Sequence, residues 1–402
     1  MSKLLKNNYS VNEKALLVFF IPLFGLKFFD VTSDNILLKT FGAFCFLFAL
    51  WHMFNMNYGK KTFNCLAALL IYSAVLVLTC GKQAVFFTVV MLILMFRINM
   101  DRKVYSILLK VGLFFLILNM LYALTFEAQS TTRYINGEWV EMTKRSNIIF
   151  INSMAVLCLF CLVYRQKMNV TKVLAVVVVG CLMFAFTGSR SGFVLVVLWA
   201  LMLLMFRIRW IRNCYIVKYL CILSPLYCML FCIYTGLAYE KHAWLIILDM
   251  LLQGRVSQNC IFLHDYNILP FGQRIVEGSE IGGVFLNLDC AYLDMLICEG
   301  LIFAIIWTIT SVAVIRYFYK KKKMVEVSLL VMYAFYGITE TFLPNCFLNI
   351  SLFLYGEYLY KILNIPPEIR PARQRLLTCL ILLRLQNRPK GCNAGKVFLY
   401  RQ

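Results

Sequence analysis

Arg190 stands among apolar residues, in the turn Thr187-Gly188-Ser189-Arg190-Ser191-Gly192 between two hydrophobic runs. Two further arginines follow short glycine-containing steps, in Gln253-Gly254-Arg255 and Pro270-Phe271-Gly272-Gln273-Arg274. Guanidinium forks grip phosphate oxygens in bidentate fashion and keep their charge when desolvated, so three of them on one face suit a pyrophosphate. The glycines around Ser189 and Arg190 permit unusual backbone angles, and a helix starting at this turn offers free N–H groups to the same anion. The plainer alternative is snorkelling or lipid-headgroup contact, for Arg190 and Arg274 more than for Arg255.

Proton transfer needs carboxylates. In Asn287-Leu288-Asp289-Cys290-Ala291-Tyr292-Leu293, a helix at about 100° per residue puts Asp289, Tyr292, Leu296 and Glu299 within a quarter turn and turns Asp294 away. On that helix Glu299 lies about 15 Å deeper than Asp289, near mid-membrane, where a carboxylate is functional or paired. Tyr333, Tyr336 and Glu340 share i, i+3, i+7 spacing and end at the same surface; an interfacial aromatic belt is the favoured reading of the two tyrosines. Asp289 is the expected general base, with Glu340 next. Tyr292, Glu299, Ser189, Arg274 and His264 are the expected substrate contacts. Histidine is sparse, and without a His-x-x-x-His pair no metal site is expected. Asp30 and Asp34 read as a solvated turn. No cofactor is implied.

These groups must be held by a membrane bundle. The 402 residues are 62% hydrophobic and 15% charged, and apolar runs recur at near-span length. A hydrocarbon core needs about 20 apolar residues per helix, which gives about twelve spans, near 15–29, 36–56, 63–80, 83–96, 104–126, 147–164, 172–187, 191–206, 214–236, 288–315, 325–342 and 347–363. The fold class expected is all-α and polytopic, with residues 1–365 as the bundle.

The chain holds forty Lys plus Arg against nineteen Asp plus Glu, a net +21. The cations gather in alternate short loops, which marks those loops as cytoplasmic and argues against nucleic acid as the partner. Both termini then face the cytoplasm. The outer face carries 127–146, 187–191, 237–287 and 342–346, of which 237–287 is the long extracytoplasmic loop. Residues 366–402 read as a basic cytoplasmic tail able to touch anionic membrane lipid. The sixteen cysteines lie mostly in apolar runs, as small hydrophobes; Cys158-Leu159-Phe160-Cys161 is a CxxC within a span.

In order and spacing, the Ser189-Arg190 turn, the Gly254-Arg255 step, Pro270-Phe271-Gly272, Asp289-Cys290-Ala291-Tyr292-Leu293 and Glu299-Gly300 resemble the bacterial O-antigen polymerase and ligase superfamily. The acidic Asp289, where the ligase branch has histidine, makes the chain more similar to the Wzy-type O-antigen and capsular polysaccharide polymerases. Cys290 departs from the asparagine usual there. The resemblance implies a metal-independent glycosyltransferase with donor and acceptor oligosaccharides on undecaprenyl pyrophosphate. It implies joining on the outer face of the bacterial cytoplasmic membrane, with a chain-length regulator and a flippase as functional partners. A lipid-linked oligosaccharide flippase or other transporter is the alternative, carried by Glu299, Lys27 and Lys110; an O-antigen ligase is the third.

Overall fold

The computed structural model describes most of residues 17–26, then 36–55, 60–95, 102–125, 130–135, 138–275, 280–281, 284–285 and 288–362. The basic tail at 366–402, Lys27, Asp30, Asp34 and Asn287 lie outside the described residues.

The described chain is a helical bundle. Its elements are α1 (Ile36–Asn55), α2 (Lys60–Cys80), α3 (Ala84–Met95), α4 (Arg102–Thr125), α5 (Lys144–Val163), α6 (Val170–Thr187), α7 (Arg190–Met205), α8 (Arg209–Asn213), α9 (Tyr215–Ile222) and α10 (Ser224–Ala238). They continue with α11 (Ala243–Leu251), α12 (Arg255–Asp265), α13 (Ala291–Asp294), α14 (Leu301–Lys320), α15 (Met324–Tyr336) and α16 (Leu352–Ile362). Four helices among the described residues are long and apolar enough to cross a membrane, five if the bent pair α9 and α10 is one span. Several shorter apolar helices accompany them.

The exposed surface of these helices argues for lipid. In α6, Leu174, Val178, Leu182 and Phe186 all point outward. A stripe of that kind in water would be a large apolar patch, whereas hydrocarbon accepts it and the helix satisfies its own backbone groups. Helix α15 is the opposite case: ten of its thirteen residues are buried, so it is apolar on every side because protein surrounds it. Trp199 of α7 donates to Ser328 of α15 across 3.2 Å. Near 17–26, Phe20 stacks on Phe24 and meets Phe347 and Phe353 with ring centres 5.1–5.3 Å apart.

Four expected spans differ in detail. The span at 214–236 is bent by 63° between α9 and α10, where Pro225 occupies the first turn of α10; proline lacks the N–H that would continue the ladder. The span expected at 288–315 is interrupted. After α13 the chain makes a π turn over Met295–Glu299, and Gly300, at φ 96 and ψ 164, starts α14 afresh. The expected pair at 325–342 and 347–363 is shorter than drawn. α15 stops at Tyr336 and α16 begins at Leu352, joined by a non-helical, mostly buried segment. Irregular backbone is tolerated at membrane depth only where protein meets its polar groups. Here Tyr333 donates to Leu348 C=O at 2.9 Å and Asn349 to Leu343 C=O at 2.7 Å.

The all-α expectation needs one addition: two antiparallel hairpins. β1 (Ser130–Ile135) pairs with β2 (Glu138–Thr143), and β3 (Glu280–Ile281) with β4 (Val284–Phe285). β1 lies beside β4, so the two segments read as outer loops meet. The segment 237–287 is in large part helical, through α11 and α12.

Candidate functional site

Arg255 is placed by a capped helix start. The Asp249 carboxylate accepts from the N–H groups of Val256 at 2.7 Å and Ser257 at 3.0 Å, filling the free donors at the head of α12. Gln253 and Gly254 turn through the left-handed region, and the Gly254 N–H bonds the Asp249 carbonyl at 2.9 Å. The Tyr239 hydroxyl donates to the other Asp249 oxygen at 3.2 Å. Burial, with the Asp249 carboxylate beside it, pushes that phenol above its ordinary value, so it stays a donor at neutral pH. The outcome is an arginine 3% exposed whose approach to the site is fixed by its backbone.

Asp289 and Glu340 are brought to it from two different segments. The N–H of Ala291 bonds Gly337 C=O at 2.9 Å, and the Tyr292 hydroxyl donates to Ala334 C=O at 2.8 Å. These two bonds tie the start of α13, just after Asp289, to the end of α15, just before Glu340. Arg255 Nη2 then lies 3.1 Å from Glu340 Oε1 and 3.9 Å from Asp289 Oδ2. The Glu340 side chain is 12% exposed and that of Asp289 18%. Glu340 is thus the tight partner, while Asp289 is held loosely and is more open to an incoming hydroxyl. Among the described residues Arg255 Nε has no hydrogen-bond partner, and Nη1 reaches only Leu252 C=O, at 3.4 Å.

One guanidinium here lies between two carboxylates. That modifies the expectation of Arg255 as an open phosphate clamp: in this state its charge is spent on Glu340 and Asp289, and its first effect is to hold them.

Arg190 is the exposed cation. Gly188, at φ 69, ends α6 with its N–H on Phe184 C=O, and Ser189 precedes the first turn of α7. A left-handed residue at that point suits glycine, which has no Cβ to clash. Ser189 is buried and Arg190 exposed. α7 and α15 run antiparallel, because Trp199 meets Ser328 while Phe206 and Arg207 line the same cavity as Lys323 and Met324. Nine residues from that bond, about 13 Å of helix, Arg190 therefore comes to the end where α15 delivers Glu340.

Several expected contacts are used structurally. Tyr292 is buried with its hydroxyl occupied, so it joins helices and presents no group to a substrate. Tyr333 and Tyr336 are each 1% exposed, which replaces the interfacial belt with core packing; Tyr336 meets Phe342 edge-on at 4.8 Å. The space bounded by Tyr292, Trp307, Tyr333 and Tyr355 measures about 10 Å³, room for one water at most. Arg274 donates to Leu78 C=O at 3.4 Å and so caps the last turn of α2. His264 is exposed in the last turn of α12.

Glu299 is the main correction. It is 1% exposed, but the π turn breaks the 100° phase that aligned it with Asp289. Loop 269–273 packs directly on the break: Leu301 N–H bonds Leu269 C=O at 3.0 Å, Ile302 N–H bonds Pro270 C=O at 3.2 Å and Gln273 N–H bonds Cys298 C=O at 3.1 Å. Gly272 and Gly300, both at positive φ, lie so close that a Cβ on either would overlap the other strand's backbone. Glu299 accordingly sits level with loop 269–273. Asp294, expected to face away, is buried and paired with Lys82.

Sequence reasoning missed Asp249 and the Lys82–Asp294 pair. Asp249 had one legible signal, a carboxylate six residues before Arg255 where a helix was to begin. The pair had none, since Lys82 and Asp294 stand 212 positions apart in the chain. Among the described residues no group of three or more His, Cys, Asp or Glu is placed to hold a metal ion, and the described cysteines are free thiols. No family model, no curated protein and no solved structure matches this chain.

Proposed function

We propose that this protein is a polysaccharide polymerase of the bacterial cytoplasmic membrane, joining oligosaccharide repeat units carried on undecaprenyl pyrophosphate at the outer face. The observation that supports it best is the Arg255–Glu340–Asp289 cluster. Three polar groups far apart in the chain converge at the bundle end that also carries Arg190 and the hairpins of both outer loops. Buried ion clusters at a membrane edge are costly and are usually kept for function.

In the proposed step the acceptor hydroxyl attacks the anomeric carbon of the donor glycan. Its proton passes to an Asp289 oxygen, the new C–O bond forms, and the bond to the pyrophosphate breaks with its electron pair leaving on the lipid diphosphate. Arg190, exposed at the start of α7, meets the developing negative charge, and Arg255 contributes through its unused Nε donor. Glu340 keeps Arg255, and through it Asp289, in register. Twelve spans, cytoplasmic termini and an outer 237–287 belong to this reading, as do the chain-length regulator and flippase as neighbours.

The flippase reading rests on Glu299, Lys110 and Lys27. Glu299 is packed under loop 269–273, Lys110 is exposed, and Lys27 lies outside the described residues. The deciding experiment is Asp289→Asn at equal protein level, read on the surface glycan. A polymerase defect leaves single repeat units exported, a flippase defect leaves none exposed, and a ligase defect leaves long polymer unattached. A normal ladder in Asp289→Asn and in Arg190→Ala sinks the mechanism.

A further inference from the structure

The opposite end of the bundle carries a cavity of about 320 Å³ whose lining includes Arg165, Arg207, Arg212, Lys322, Lys323 and Glu326. Two of its five cations are already neutralised. Arg165 pairs with Glu326 at 3.3 Å and Glu357 at 3.4 Å, and Lys323 with Glu357 at 2.7 Å. Among the described residues Arg207, Arg212 and Lys322 join no ion pair, so the cavity keeps three uncompensated positive charges.

Two further observations indicate that these charges are set for a ligand. Arg212 Nε is buried without a hydrogen-bond partner among the described residues, although its backbone is anchored by the Tyr319 hydroxyl donating to Arg212 C=O at 2.8 Å. A buried guanidinium donor left open is unusual and calls for an acceptor. Lys322 sits at φ 56, in the left-handed region that lysine rarely adopts. It is held there by its own N–H on Tyr319 C=O at 3.0 Å and by Lys323 N–H on Phe318 C=O at 3.0 Å. That strained turn places a lysine on the cavity wall.

We propose that this cavity binds a phosphate group, supplied by the headgroup of an anionic phospholipid or by free phosphate. Two guanidinium groups and an ammonium match a phosphate's several acceptor oxygens. Met205 and Ile208, both exposed, flank Arg207, so an acyl chain leaving the cavity meets apolar helix surface. Cationic pockets between spans on the positively charged side of a membrane protein are suited to such headgroups. The site is at the other end of the bundle from Arg255 and does not depend on the polymerase reading.

The test uses the full chain in neutral detergent, titrated separately with short-chain phosphatidylglycerol, short-chain phosphatidylcholine and inorganic phosphate, with stoichiometry read by native mass spectrometry. One phosphatidylglycerol is expected to bind at least about tenfold more tightly than phosphatidylcholine, and less tightly as salt rises. Competition by inorganic phosphate at similar concentration identifies free phosphate as the source; its failure to compete identifies the headgroup. Arg207→Gln with Arg212→Gln is expected to weaken binding by about tenfold. Lys322→Asn relieves the strained turn, because asparagine tolerates the left-handed region; it should fold at least as well and bind several-fold more weakly. Equal binding of phosphatidylglycerol and phosphatidylcholine with no binding of phosphate, or unchanged affinity in Lys322→Asn, overturns the proposal.

Discussion

At the scale of single residues, the site is governed by one guanidinium and the two carboxylates it holds at 3.1 and 3.9 Å. Arg255→Ala takes the guanidinium from between Glu340 and Asp289; breaking a buried pair from one side costs about 3 kcal/mol, and a matching fall in the detergent melting temperature checks it. Asp289→Asn keeps shape and removes the base, so polymer formation is expected to drop by about a hundredfold or more with little change in stability. Glu340→Gln, by contrast, should lower stability as well as activity, because Glu340 is the closer partner. Asp249→Ala removes the cap of α12, worth about 1 kcal/mol, and loosens the turn that delivers Arg255. Asp249→Asn keeps an acceptor oxygen and is expected to restore most of both, measured as melting temperature and glycan chain length.

Elements explain why the site has this geometry. A straight tenth span would have lined Asp289 up with Glu299. The π turn and Gly300 change the phase and open a seat for loop 269–273. Gly272 and Gly300 are in van der Waals contact through backbone alone, so Gly272→Ala or Gly300→Ala should reduce the yield of monodisperse protein on size-exclusion chromatography; wild-type yield from both would contradict the contact. The bond from Tyr292 to Ala334 C=O is smaller in effect. Tyr292→Phe loses one buried hydrogen bond, about 1 kcal/mol, and is expected to keep an active enzyme, whereas a substrate-contacting tyrosine would lose activity without loss of stability. The same comparison separates positioning from binding for α13 as a whole.

For the whole molecule, the decisive quantity is sidedness. The Arg255 cluster and the proposed phosphate cavity lie at opposite ends of antiparallel α7 and α15, and in the proposed orientation the cavity faces the cytoplasm. His264→Cys, on exposed α12, is expected to react with a membrane-impermeant maleimide in intact cells, and Lys322→Cys only after permeabilisation. The reverse pattern would turn the arginine site inward and remove access to an exported glycan.

Much of this could be read in the chain. The bundle follows from apolar runs, because hydrocarbon leaves the backbone no partner but itself. Arg255, Asp289 and Glu340 stood out because charged residues beside apolar runs demand a reason. Helix phase let Asp289 be chosen over neighbouring groups, yet the same phase could not foresee the break that seats loop 269–273 beside Glu299, since a π turn depends on packing from elsewhere in the chain. The buried tyrosines read as belt residues for a similar reason: amphipathic rings suit either place, and only neighbours decide. Residue types and their spacing along each helix are local properties, which the sequence determines. Which arginine meets which carboxylate, and which cation is left over, depends on contacts across as many as 85 positions within the site, and only the tertiary structure decides them.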